Sequence, residues 1–371
     1  MRSVRSFWWF LVLLLTGCRL GTPLELVWQA DLGGALRRPP LIAGDTLLAA
    51  PLDGALRAFD RRSGALRWQF SPAAGVWHES LAADEARAFI AGRDGVLYAL
   101  SLSDGQVIWT LPLGADAPFS MLRFEDGLYL TTTTLDATLA QVKAGGAALW
   151  AVDAATGTVQ WVFRSADYVF QSPFRVDNRI YVGGTYYNES PVDEGGWMHL
   201  YALNADDGSL VWRYDSTDGF LKAIYATETR LAYIAYTDFV VVLDTAYGQE
   251  LWRRDTGNWV PSLTGSGDTV WFGSANTQVH AWDIRSGEVL WTHDLGNGSF
   301  NYTMHVPVPV GDRVYVLTQR GDIVSLRRGT GALRWRFATG REVQTGLAVS
   351  PDGWAYVGDQ AGMLSAYRIR R

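Results

Sequence analysis

Cysteine is nearly absent from this 371-residue chain, Cys18 being the only one, which excludes a disulfide framework and any zinc site built on paired cysteines. Lysine is almost as scarce. Lys143 and Lys222 are the only two, so the cationic side is arginine, and 32 basic against 38 acidic residues leave a formal charge of −6. A basic field for nucleic acid is therefore missing, and no nucleic-acid partner is expected. The five histidines are His78, His199, His280, His293 and His305, and none stands in an HxxxH, HExxH or Cys/His spacing that marks zinc. Gly265-Ser266-Gly267 misses the spacing of a nucleophile elbow and lacks its strand-then-helix setting. No catalytic constellation emerges, and no metal is expected. Disorder is excluded as well, because 48% apolar and 13% aromatic residues can fill a sizeable core without disulfides or metals.

Long apolar runs are equally rare. Only one stands out, Phe7 to Leu15 behind Arg2 and Arg5, and it is too short to span a bilayer but has the size of a signal-peptide core. It ends in Leu15-Thr16-Gly17-Cys18, which resembles a bacterial lipobox, whose thiol is diacylated and whose preceding bond is cut. The expected organisation is a lipoprotein signal peptide over 1–17, a lipidated linker over 18–24 and a single body over 25–371. Several acyl chains hold a protein stably where one does not. Losing Arg2 and Arg5 makes the mature body more acidic still. Arg19 stands where an Asp would favour retention at the inner membrane, so the expected location is the outer membrane facing the periplasm. In a host without that membrane it is the outer face of the cytoplasmic one.

What the chain has in abundance is tryptophan, 17 in all, and most of it is periodic. Glycine four residues before tryptophan recurs as Gly64/Trp68, Gly105/Trp109, Gly157/Trp161, Gly208/Trp212, Gly248/Trp252, Gly287/Trp291 and Gly331/Trp335. Four residues before each glycine stands Asp60, Ser101, Asp153, Asn204, Asp244, Asp283 or Arg327. Each copy reads as strand, turn, strand: the Asp or Asn bonds turn amides, the glycine supplies positive φ, and the tryptophan re-enters a strand. A second hairpin precedes each, as in Gly267-Asp268-Thr269-Val270-Trp271, and two hairpins make a four-stranded blade. The tryptophans are 41, 52, 51, 40, 39 and 44 residues apart, a propeller period. An eighth, Trp28, has no hairpin before it, while three strands near 345–349, 354–358 and 363–369 have no tryptophan after them. Each end completes the other. The expected fold is all-β, an eight-bladed propeller of four-stranded antiparallel blades, closed by the N-terminal strand joining the three C-terminal ones.

The segment Ala151-Val152-Asp153-Ala154-Ala155-Thr156-Gly157-Thr158-Val159-Gln160-Trp161 resembles the tryptophan-docking motif of the pyrroloquinoline-quinone-like propeller repeat family. The resemblance runs over about 25–371. That family includes quinoprotein dehydrogenases and the BamB-type lipoprotein of the outer-membrane β-barrel assembly machinery, and the build here is closer to the latter. The resemblance implies that Trp28, Trp68, Trp109, Trp161, Trp212, Trp252, Trp291 and Trp335 wedge between blades with each indole N–H on a backbone carbonyl. It also implies what a dehydrogenase would show: a vicinal cysteine pair over the quinone, a calcium held by Glu and Asn, and a catalytic Asp. One cysteine cannot form that pair, so neither quinone nor calcium is expected.

Two binding features follow. The blade period is exceeded only by insertions at 131–146 and 184–197, on adjacent blades and one face. The second carries Tyr186, Tyr187, Asp193, Glu194 and Trp197, a mixture suited to protein recognition. Alignment of the innermost strands brings Arg38, His78, Gln171, Lys222 and His305 to one mouth of the channel, with Trp77 and Trp259 close by; a basic, aromatic funnel suits an anionic ligand or a partner's carboxylates. The expected function is a non-enzymatic, lipid-anchored scaffold for envelope proteins, including β-barrel assembly. The alternative is a quinone- or carbohydrate-binding propeller, with or without oxidoreductase chemistry.

Overall fold

Strand follows strand without a single helix among the described residues, as the period-two patterning requires. The computed structural model describes residues 22–370 except 115, 135–145, 168, 186–197, 220, 236–237, 297–305 and 344. Eight sheets form in chain order. Blades 1 to 7 cover 41–70, 76–112, 116–165, 169–216, 221–255, 263–294 and 308–338. Blade 8 is a composite: Leu24–Asp31 pairs antiparallel with Met363–Ile369, which continues to Trp354–Gly358 and Ala348–Ser350. The first of these three C-terminal strands starts three residues later than its expected position near 345. Blade 4 departs from four simple strands. Its innermost strand is split into Val169–Phe170 and Phe174–Val176, both pairing with Arg179–Thr185, and the break holds Pro173, which has no N–H to give a ladder.

The two middle strands of each blade are sandwiched between neighbouring blades and are apolar on both sides, as in Arg230–Ala235, where five of six residues are buried. Outer strands alternate instead, their tryptophan turned in and its neighbours out, as in Leu210–Ser216. A β-bulge makes that turn possible. In every outer hairpin the register skips the residue just before the tryptophan, for example between Ala58/Phe59, Ala202/Leu203 and Ser325/Leu326, and also between Leu26/Trp28 in the composite blade. The extra residue re-aims the indole toward the next blade.

There the indole N–H donates to a carbonyl in the neighbour's outer turn. Trp28 reaches Arg61 O at 3.1 Å, Trp68 Leu102 O at 2.9 Å, Trp109 Ala154 O at 3.2 Å and Trp161 Ala205 O at 2.9 Å. Trp212, Trp252 and Trp291 reach Thr245, Ile284 and Arg328 at 2.9, 3.0 and 2.8 Å. Beneath most of them lies an aromatic of the second strand of the same blade, such as Tyr181 under Trp212 and Tyr356 under Trp28. The turn aspartates cap their own amides: Asp153 Oδ1 accepts from the N–H of Ala155 and Thr156, and the Thr156 hydroxyl, then both amides, hold its pKa down.

The eighth indole is different. Trp335 of blade 7 would dock on the outer turn of blade 8, but there the chain ends meet and no turn exists. Its buried Nε1 has no partner among the described residues. The other side of blade 8 is reinforced. The Arg61 carbonyl accepts from both Trp28 and Tyr356, at 3.1 Å each, while the Arg61 guanidinium grips Asp352 with two bonds of 3.0 and 3.1 Å. Replacing Trp212 by Phe strands a buried carbonyl, whereas Trp335→Phe strands nothing. Both lose the same ring atoms, so Trp212→Phe should cost about 1–2 kcal/mol more than Trp335→Phe in urea unfolding.

Candidate functional site

In this topology the links between blades and the loops between second and third strands open on one face, here the upper one. The strands that flank both insertions end on it, Gly127–Thr134 and Ala147–Asp153 in blade 3 and Arg179–Thr185 and Met198–Asn204 in blade 4. Tyr186, Tyr187, Asp193, Glu194, Trp197 and His305 lie outside the described residues, as does Cys18. The feet of the second insertion are described, and they stand on a buried carboxylate.

That carboxylate is Asp167, in the link from blade 3 to blade 4, with no exposed surface. Its Oδ1 is 2.8 Å from His199 Nδ1, and its Oδ2 accepts from the Tyr201 hydroxyl at 2.6 Å and from the Ser165 hydroxyl. Its own N–H returns to Ser165 Oγ at 3.1 Å. Burial, then the Asp167 charge, pushes the Tyr201 hydroxyl pKa well up, so the phenol stays a donor. The same device recurs one blade on. Asp218 accepts from Ser216 and Tyr233 at 2.6 and 2.8 Å and pairs with Arg253 at 2.5 Å. Burial raises its pKa, but the bonds from Arg253, Ser216 and Tyr233 outweigh it and hold the carboxyl below its usual range. The signal in the sequence is Ser-x-Asp directly after an outer strand, Ser165-Ala166-Asp167 and Ser216-Thr217-Asp218. It was missed because nothing local shows that the acceptors reach into the next blade.

Among the residues expected at the channel mouth, the structure describes two sets of local contacts. Arg38 Nη2 lies 3.9 Å and His78 Nε2 3.8 Å from the carboxylate of Glu79, and Arg93 stacks 5.3 Å over Trp77. Burial lowers the His78 pKa, Arg93, Arg38 and Arg37 lower it further, and Glu79 only partly offsets them; the imidazole is neutral at neutral pH. Across the mouth, Lys222 Nζ is 3.1 Å from Asp238 Oδ1 and 5.1 Å over the Trp259 ring. Its charge is thus already matched, and burial draws its pKa down against the pull of Asp238. Gln171 sits at the break in the split strand, its N–H on the Gly183 carbonyl at 2.9 Å. Glu79 and Asp238, both outside the expected funnel, make it less basic than its arginines suggest. Among the described residues no three His, Cys, Asp or Glu gather as a metal site would need.

Fold and repeat together define a propeller of the pyrroloquinoline-quinone-like repeat class. Residues 25–123, 52–189, 123–236 and 170–258 match the family model described as outer membrane protein assembly factor BamB, and the chain belongs to that family. It is 24% identical over 355 residues to the outer membrane protein assembly factor BamB of Yersinia pestis, covering 91% of this chain and 77% of the relative. The crystal structure of BamB from Moraxella catarrhalis superimposes with a TM-score of 0.66 at 20% identity, over 94% of this chain and 98% of that one. A quinohemoprotein alcohol dehydrogenase from Comamonas testosteroni shares the fold, with a TM-score of 0.70 at 14% identity over 94% of this chain and 76% of its own. That likeness concerns architecture alone.

Removing the Asp167 carboxylate leaves the His199 ring and two hydroxyls without their acceptor under the insertion. Asp167→Ala should destabilise by about 2–4 kcal/mol and speed amide exchange at Thr185 and Met198. The exposed neighbour Asp215, changed to Asn, should alter stability by no more than about 0.5 kcal/mol.

Proposed function

We propose that this chain is a non-enzymatic scaffold of the cell envelope, exported, acylated at Cys18 and held at the outer membrane facing the periplasm, where it serves β-barrel assembly. The observation that carries the reading is that both insertions join the middle strands of adjacent blades on one face, the strand ends that flank the second being fixed on the buried Asp167, His199 and Tyr201 group. Extra chain mounted on a rigid rim is how propellers present loops to partners, and Tyr186, Tyr187 and Trp197 are residue types that anchor protein interfaces. Family membership supports the assembly role.

A quinone enzyme fits the residues poorly. Cys18 is the only cysteine, so no vicinal pair can lid a quinone, and the one mouth lysine is committed to Asp238. Deletion of 186–197 should abolish crosslinks from the upper rim to β-barrel assembly subunits in native envelopes while shifting the melting temperature by only about 2–4 °C. Dye-linked dehydrogenase activity of the purified chain supplied with quinone and calcium would overturn the scaffold reading.

A further inference from the structure

The charge of this acidic chain is unevenly placed. The stretch 308–342 in and after blade 7 holds seven arginines and three acids. Several of these arginines reach the lower face, where the chain ends also meet: Leu24 pairs with Ile369 at the bottom of blade 8. Around that point stand Arg313, Arg327, Arg328, Arg334, Arg368 and Arg370. Arg313 is 3.6 Å from Asp312 and Arg370 is 3.0 Å from Glu25. Arg368 donates to backbone carbonyls, and Arg328 stacks 5.0 Å over Trp271. Arg327 and Arg334 are exposed and have no carboxylate within ion-pair reach among the described residues. Arg327 also occupies the turn position that holds Asp or Asn in most other blades. Its carbonyl still closes the turn onto Gly331 N at 2.8 Å, so the side chain is not needed there. The lower face of blades 3 to 5, across the ring, is the reverse: Glu125, Asp126, Asp177, Asp206, Asp207 and Glu228 are all exposed.

The tether leaves from this basic rim. Leu24 is buried in one cluster with Tyr315, Leu317 and Tyr367, and Trp335 and Phe337 of the outer strand of blade 7 pack on it. Only five residues separate Leu24 from Cys18, and the six steps between them span about 20 Å when fully extended. A body acylated at Cys18 therefore cannot carry this rim far from the bilayer, and arginines near an anionic surface are drawn onto it.

We propose that the lower rim of blades 7 and 8 is a membrane-orienting surface that lies on anionic phospholipid headgroups. This rests on acylation of Cys18. Docking there sets the acidic side away from the lipid and places the strand ends Thr185 and Met198, on the opposite face and across the ring, at the far end of the molecule from the bilayer. The rim thus acts as a spacer as well as a contact.

The test is amide exchange of the acylated full chain in nanodiscs of phosphatidylglycerol or of phosphatidylcholine. The turn 327–331 should exchange at least about threefold more slowly on phosphatidylglycerol, while the matching turn 204–208 of blade 4 should not respond. Arg327→Glu with Arg334→Glu should remove the difference, each reversal weakening the contact about fivefold or more, and 0.5 M salt should do the same. Equal exchange at 327–331 in both lipids, or equal protection of both turns, would overturn the proposal. Intact mass of the same sample reports acylation separately. If the chain proves unacylated, coupling the Cys18 thiol to a maleimide lipid allows the same comparison, so failure of the anchor and failure of the rim are distinguishable.

Discussion

Eight sheets that share no hydrogen-bonded strand are held in a ring by apolar packing between their faces and, at seven seams, by one directional contact, an indole laid across the outer turn of the next blade. The contact has two halves. The indole N–H takes a turn carbonyl, and the ring face occupies the space where the turn glycine would carry a Cβ. A Cβ on Gly208 would sit 2.5 Å from the Trp161 ring, and one on Gly105 2.7 Å from Trp68. Glycine is thus required twice at one position, by a φ near +70° and by the neighbour's tryptophan. The bulge before each tryptophan and the aromatic beneath most of them serve to aim that indole.

Because a closed ring has as many seams as blades, the chain ends must interrupt one of them. The interruption falls between blades 7 and 8, where the Trp335 indole N–H finds no acceptor among the described residues. Its loss is offset by strand pairing across the chain ends and by the Arg61, Asp352 and Tyr356 clasp on the other side of blade 8. The interrupted seam therefore lies beside Leu24, where Trp335 and Phe337 pack on the cluster that holds it.

Fold was legible because its cause is local and repeated: Asp153, Gly157 and Trp161 each have a reason within eleven residues. Closure was legible too, since Trp28 and the last three strands are fragments that only one another can complete. The split inner strand of blade 4 was not foreseen, although Pro173 announced it. The second duty of the glycines was invisible, because the tryptophan that each accommodates lies a whole blade earlier, as Trp161 does for Gly208. For the site the limits were sharper. Alignment of inner strands placed Arg38 near His78 and Lys222 near Trp259, but two carboxylates that it left out decide how basic these groups are: Glu79, beside His78 on the same strand, and Asp238, between the two middle strands of the Lys222 blade. Asp167 was passed over because its partners His199 and Tyr201 lie more than thirty residues away.

Three glycine substitutions separate backbone strain from indole docking. Gly44 has positive φ and nothing near its missing Cβ, whereas Gly208 and Gly287 share φ values of 70° and 72° but differ in approach, 2.5 Å to Trp161 against 3.2 Å to Trp252. If indole docking holds the ring, Gly44→Ala should cost about 1–2 kcal/mol, Gly287→Ala slightly more, and Gly208→Ala at least about 2 kcal/mol beyond Gly287→Ala in equilibrium urea unfolding. Equal losses for Gly208→Ala and Gly287→Ala would show that the turns alone set the stability and would contradict the account.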